Sequence, residues 1–264
     1  MLPRSPVFTL LVYALVAMTG LAAGAGVNAI ADRIAGDEDP PWRSGECASC
    51  RTALPARRFV PVAGWLLLRR RCPACGAALS PRRPLVEAVL TLAFPLLLAH
   101  VLAPAAHARV QPFALFVVDA LLATVLALIF VVDLEHHLIL DIITYPTAAA
   151  LVGVALLLDR KALAGMAVGA VVGGGLFLLL YGLGFLLYRV EALGFGDVKL
   201  AALIGMVVGW PGIVGALGLG ALFGFAVCVA LLGLGRVTRD TYVPFGTFLS
   251  LGAVLALLTT APLW

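Results

Sequence analysis

Apolar runs of about the length needed to cross a lipid bilayer recur along this chain, and that repetition decides the solvent in which it folds. A spanning helix needs about 17–25 predominantly apolar residues. Runs near that length lie at 7–30, 85–103, 112–132, 142–158, 162–188, 198–211, 212–235 and 245–262. With 62% hydrophobic and only 12% charged residues, a 264-residue chain has too little polar surface to cover a soluble globule. The sequence therefore predicts an all-α polytopic membrane protein with about eight transmembrane helices. Trp210-Pro211-Gly212 separates two Gly-rich runs, the first of them short, and a re-entrant pair is the alternative to two spans there. The first run is long, lacks a strong basic cluster before it and leads into further spans, so it reads as an anchor and not as a cleaved signal.

Arginine placement orients the bundle. Ten arginines fall between Ala31 and Pro84 against five acids, and the short loops on the same side add Arg189, Lys199, Arg236 and Arg239. The opposite side carries Arg4, Arg109, Arg160 and Lys161. Lys and Arg accumulate on the cytoplasmic side of membrane proteins. The expected arrangement has both termini outside, with segment 31–84, Asp133 and Asp197 facing the cytoplasm. The arginines lack the interleaved aromatics of a nucleic-acid surface, so the partner they imply is the lipid bilayer. The predicted organisation is a first transmembrane helix over 1–30, a cytoplasmic module over 31–84 and a membrane bundle over 85–264.

The module is too small for a self-sufficient core, and domains of this size usually need a staple. Cys47-Ala48-Ser49-Cys50 and Cys72-Pro73-Ala74-Cys75-Gly76 supply one. Two C-x-x-C knuckles at such a separation place four thiolates around one tetrahedral ion, as in zinc ribbons. Cytoplasmic thiols stay reduced, which favours a metal over two disulfides or a redox dithiol. With Cys47, Cys50, Cys72 and Cys75 all engaged, the zinc is expected to be structural. Cys228, alone in an apolar run, reads as a small packed hydrophobe.

Asp133 ends one apolar run, and Asp197 lies in Gly194-Phe195-Gly196-Asp197-Val198-Lys199-Leu200 between two more. Ionisable groups near the hydrocarbon region are costly, so two carboxylates at such boundaries form a candidate acid/base pair. Capping of helix ends is the alternative for each. Gly194 and Gly196 allow a substrate chain to approach Asp197. Lys199 either snorkels to lipid head groups or biases the pair electrostatically. Asp119 precedes Asp133 by about 21 Å of helix rise and falls within roughly 40° of the same face, which places it toward the bundle interior. His136 and His137 read as interfacial residues. Gly165, Gly169 and Gly173, and then Gly212, Ala216, Gly220 and Gly224, recur every four residues and predict close helix contacts.

Taken in order, these pieces resemble the bifunctional prepilin leader peptidases, membrane aspartic proteases of the GxGD kind. The resemblance rests on Gly24-Ala25-Gly26-Val27-Asn28 with Arg33, Arg43-Ser44, the two knuckles, Pro84-Leu85-Val86-Glu87, Asp133 through Asp141, Gly194 to Leu200, and Pro244-Phe245-Gly246. Two positions depart from the family pattern. Leu140 stands where Pro usually precedes Asp141, and Ala25-Gly26 stand where Ser-Phe is common.

The resemblance marks Asp133 and Asp197 as catalytic, with Asp141, Gly194, Gly196 and Lys199 as supporting or substrate-proximal residues. It implies removal of basic leader peptides from prepilin or pseudopilin precursors at the cytoplasmic face of the inner membrane, after a glycine. It also implies N-methylation of the new amino terminus with S-adenosylmethionine, for which no glycine-rich nucleotide loop is visible in the sequence. Two other classes fit parts of the pattern: a transporter or channel with intramembrane acids, and a non-enzymatic zinc-stabilised assembly protein.

Overall fold

The computed structural model describes residues 5–34, 47, 49–55, 62–103, 110–188, 193–235 and 243–259. The motif residues Arg43 and Ser44 and the orienting Arg4, Arg57, Arg58, Arg109, Arg189, Arg236 and Arg239 lie outside the described residues. The chain divides into two compact units, 1–99 and 100–264.

The first unit holds α1 (Pro6–Ile34), the short α2 (Ala63–Leu67) and most of α3 (Arg82–Leu102). Small residues let α1 and α3 touch backbone to backbone: a methyl group at Gly24 would lie 2.7 Å from Glu87 Cα. Close approach of this kind replaces the hydrophobic drive that lipid cannot supply. Beside it, buried Asn28 donates through Nδ2 to the Arg83 carbonyl at 3.1 Å and to Glu87 Oε1 at 3.3 Å. Glu87 Oε2 accepts from the Val62 N–H at 2.6 Å, and Arg82 and Arg83 both pair with Asp32. The sequence pieces around Asn28 and Glu87 thus converge on one polar contact, to which Asp32, Arg82 and Arg83 add a part the sequence reading had not singled out.

The second unit contains α4 (Pro112–His136), α5 (Asp141–Leu158), α6 (Ala162–Tyr188), α7 (Phe195–Gly233) and α8 (Phe245–Thr259). Six of the helices, α1 and α3 to α7, are long and apolar enough to cross a membrane, while α8 has 15 residues. At about 1.5 Å per residue, an unbroken 39-residue α7 would run about 58 Å, nearly twice the hydrocarbon thickness. It is broken instead at Gly209 (φ 60°, ψ −171°) and Trp210 (φ −92°, ψ 135°), just before Pro211. Glycine accepts the positive φ, and proline has no N–H with which to continue the preceding helical ladder. The two predicted runs at 198–211 and 212–235 are therefore the two arms of this bent element. No strand occurs among the described residues, where Arg71 and Ala78 form an isolated antiparallel bridge.

Glycine-mediated approach also builds this unit. Methyl groups at Gly169 and Gly173 of α6 would collide with the backbone of Gly205 and Ala201 in the first arm of α7. At Gly220 a methyl would lie 2.9 Å from the Phe248 carbonyl oxygen of α8. The small-residue stripes thus face helix partners, and Gly205 is a partner outside either stripe.

Candidate active site and cysteine cluster

Asp133 lies in the last turn of α4, where the chain leaves the helix abruptly. His137 takes a left-handed conformation (φ 55°) and donates its N–H to the Asp133 carbonyl at 2.9 Å. An extended link then reaches Leu140 (φ −81°, ψ 126°), which caps α5, so that Asp141 opens the next helix. Leucine here occupies a φ close to the value proline is locked into, and the departure from the family pattern leaves the start of α5 sharp.

The Asp133 side chain is buried, 3% exposed, and meets the start of α8. Its Oδ2 accepts from the Thr247 N–H at 2.6 Å and from the Thr247 hydroxyl at 2.9 Å. Gly246 lies so close that a methyl there would sit 3.0 Å from the same oxygen and 2.9 Å from Ile139 Cδ1. Asp197, 5% exposed, occupies the first turn of α7, its N–H bonded to the Gly194 carbonyl at 3.1 Å. A methyl at Gly194 would lie 3.4 Å from Asp197 Oδ2, and one at Gly196 would lie 3.1 Å from Ile139 Cβ. Ile139 therefore touches both the Gly196 side, which leads to Asp197, and the Gly246 side, which leads to Asp133. Three helix ends, from α4, α7 and α8, thus gather around Ile139 with a buried acid on either side.

Asp141 and Lys199 tie the start of α5 to the start of α7. Lys199 Nζ donates to Asp141 Oδ1 at 2.6 Å and lies over the rings of Phe195 and Tyr145, 5.4 and 5.7 Å from their centroids. The ammonium is thus engaged by Asp141 and two aromatic rings. Asp119 is also buried in α4, at 4% exposure. Of the two histidines, His136 sits 4.0 Å from Glu135 and His137 forms the helix cap. Thr247 is the site residue that the sequence reading missed; its one signal was its position directly after Pro244-Phe245-Gly246.

In the first unit the two knuckles close in parallel ways. Arg51 N–H donates to the Cys47 carbonyl at 2.8 Å, and Gly76 N–H to the Cys72 carbonyl at 2.9 Å. The four sulfurs lie within 4.8 Å of one another, with Cys47 to Cys75 at 3.7 Å and Cys50 to Cys72 at 3.8 Å. A tetrahedron with metal–sulfur bonds of about 2.3 Å has edges of about 3.8 Å, so this set of soft donors fits a single ion. The Thr52 hydroxyl and backbone N–H hold the Cys50 thiol down to about 6. The Ala77 backbone N–H acts in the same direction on Cys75, but the neighbouring Cys50 and burial outweigh it and push that thiol up to about 12. Four thiolates cannot share this space without a cation.

Residues 18–101 match the bacterial peptidase A24 N-terminal domain, and residues 120–258 match the type IV leader peptidase family. The chain is 31% identical over 227 residues to the prepilin leader peptidase/N-methyltransferase of Aeromonas hydrophila, covering 84% of this chain and 75% of that one. It is 29% identical over 228 residues to the protein of the same name from Myxococcus xanthus, covering 86% of this chain and 64% of the relative. The type 4 prepilin-like proteins leader peptide-processing enzyme of an enterotoxigenic Escherichia coli strain is 33% identical over 210 residues, with 79% and 72% covered. No solved structure matches the chain. Family match, spanning helices and the similarity to these relatives agree: the chain belongs to the type IV leader peptidase family and is a multi-pass membrane peptidase.

Proposed function

We propose that this chain removes the basic leader peptide of type IV prepilin-like precursors by an aspartic dyad of Asp133 and Asp197, at the cytoplasmic face of the inner membrane. The observation that carries this reading is two buried carboxyls at helix ends, beside glycines that both pack against Ile139. In such a dyad the two like charges cannot both ionise, so the pair shares one proton and titrates as a unit. The ionised member takes a proton from the attacking water while the protonated member donates to the scissile carbonyl. Thr247 fixes the plane of the Asp133 carboxyl through Oδ2 and leaves Oδ1 for water. Gly194 and Gly196 line the approach, and the Asp141–Lys199 pair positions the first turn of α7 on which Asp197 rides.

The cysteine set belongs, in this reading, to a zinc-stabilised module over 31–84 that precedes a peptidase bundle over 85–264. A zinc ion there would be held by Cys47, Cys50, Cys72 and Cys75, and with all four thiolates engaged it would contribute folding free energy and no catalysis. N-methylation of the new amino terminus with S-adenosylmethionine follows from the names of the relatives. The apolar cavity beside α6 does not suit a zwitterionic nucleoside. Incubating membranes that contain this chain with a prepilin-like precursor and S-adenosylmethionine, then weighing the product by mass spectrometry, tests the proposal. A product shortened after the leader glycine is expected, and an unshortened precursor in the presence of folded protein would refute it.

A further inference from the structure

The first unit carries an exposed apolar pair and a basic run that neither the two acids nor the cysteine set uses. In Trp65-Leu66-Leu67-Leu68-Arg69-Arg70-Arg71, Leu66 and Leu67 of α2 are 54% and 59% exposed, whereas Leu68 is buried. Arg69, Arg70 and Arg71 are all exposed. The left-handed backbone of Arg69 and Arg70 (φ 51° and 61°) turns the chain sharply at the end of α2. The Arg70 guanidinium lies 4.8 Å from the Trp65 ring centroid, and no acid pairs with Arg69 or Arg71 among the described residues.

Two tethers fix where this surface stands. Val62, directly before α2, donates its N–H to buried Glu87 of α3 at 2.6 Å. Glu87 lies among Leu85, Val89, Leu92 and Leu96, which recur at intervals of four, three and four and are each more than half exposed. On a helix able to span a bilayer, such a stripe faces lipid. The five residues of α2 rise only about 7.5 Å, so Leu66 and Leu67 stand close to the level at which α3 enters the apolar layer. The second tether is Trp65, whose Nε1 donates to the Leu79 carbonyl at 3.1 Å, while the Leu79 N–H donates to the Arg70 carbonyl at 2.8 Å. Leu79 packs against the cluster of Cys47, Leu54 and Cys72, so the same short element is fastened to the cysteine set.

We propose that α2 and the arginines behind it form an interfacial anchor whose partner is the anionic phospholipid surface. Leu66 and Leu67 enter the boundary between head groups and acyl chains, and Arg69, Arg70 and Arg71 meet the lipid phosphates. A tryptophan at head-group depth, leucines beside it and a run of arginines after them match the chemistry of that boundary. A protein partner fits poorly, because two leucines and a short basic run fall far short of the roughly 800 Å² per partner of a stable interface. A basic leader peptide is repelled by the same three arginines. The anchor rests on α1 and α3 spanning the bilayer, not on the peptidase reading. Because Cys72 follows Arg71 directly, it also fixes the orientation of the second knuckle against the membrane.

The test uses full-length protein in nanodiscs of phosphatidylcholine mixed equally with phosphatidylglycerol. A photo-crosslinking residue replaces Leu67, Leu92 or Ala74 in turn, and the adducts are identified by mass spectrometry. All three positions are exposed, so the replacements disturb the fold little. Leu92 reports insertion of α3, and Ala74 reports the second knuckle. Position 67 should capture phospholipid as position 92 does, with little capture at 74. Phosphatidylglycerol should exceed phosphatidylcholine among the adducts at 67 by at least about fivefold, the effect of a single arginine near an anionic surface, and stay near parity at 92. Arg69→Gln together with Arg71→Gln should bring the ratio at 67 toward parity while the leucines keep that position in lipid, and raised salt should do the same in the parent.

With position 92 in lipid, any of three results overturns the proposal. Protein adducts alone at 67 would mean that a second copy or another part of this chain covers the leucines. Lipid capture at 67 no greater than at 74 would mean that α2 is not the anchor. Equal capture of the two phospholipids at 67 would mean that the arginines do not meet the anionic head groups.

Discussion

Thr247 directs both its N–H and its hydroxyl at one oxygen of Asp133, and the second of these can be removed by a single substitution. A hydrogen bond to a charged group contributes about 1.5–3 kcal/mol, which corresponds to roughly 10- to 150-fold in rate if it is needed in the transition state. Thr247→Val should therefore lower kcat by at least about tenfold with little change in KM, and Thr247→Ser should recover most of it. Steady-state cleavage assays on the two variants check this. The glycines offer a graded comparison. Gly246→Ala puts a methyl 3.0 Å from Asp133 Oδ2, closer than carbon ordinarily approaches, whereas Gly194→Ala makes an ordinary 3.4 Å contact with Asp197. Because sub-ångström misplacement of a reacting group is costly, Gly246→Ala should lose far more activity than Gly194→Ala at equal protein level. The two acids were legible in the sequence because a carboxyl at the end of an apolar run is conspicuous. Thr247 was not, because a threonine 114 residues away from its partner carries no local sign of the contact.

At the scale of elements, the glycine stripes and the Trp210-Pro211 boundary were readable from the chain. Spacing of four residues and a missing proline N–H act locally, and the break in α7 falls where they predict. Which helices meet was not readable. Gly169 belongs to a stripe, and its partner Gly205 stands in another run of small residues every four, Ala201, Gly205 and Gly209, but only packing reveals that the two runs meet. The joint between α4 and α5 yields a prediction of its own. Leu140 already has φ −81°, and Ile139 before it lies outside any helix, so proline at 140 is compatible with both residues. A substitution of this kind stabilises by about 0.4–1 kcal/mol through the unfolded chain. Leu140→Pro should leave cleavage intact and keep or modestly raise the unfolding temperature in detergent. A drop of several degrees would show that this link needs a shape proline cannot take.

For the whole molecule, the sequence showed a membrane chain with a cysteine-bearing segment, since apolar run length and knuckle spacing are one-dimensional properties. The grouping into units and the convergence of Asn28, Glu87, Arg82, Arg83 and Asp32 depended on three-dimensional contact. The metal prediction lives at this scale. Ligating thiols must be deprotonated, so protons compete with the ion. Zinc content should be full near neutral pH and fall as the solution is acidified, with the thiols reprotonating as metal leaves. Metal analysis of reduced protein across a pH series checks the direction; no zinc at neutral pH would contradict it. Cys72→Ser should lose the ion and loosen the cysteine module while the spanning helices keep their circular dichroism. The central claim is that Asp133 and Asp197 work as one catalytic pair. Its most direct test is the leader-cleavage rate of the parent, Asp133→Asn and Asp197→Asn, each confirmed folded and zinc-loaded. The dyad predicts that each single variant falls to background and that the double variant is no worse. Retention of parental activity by either single variant would contradict it.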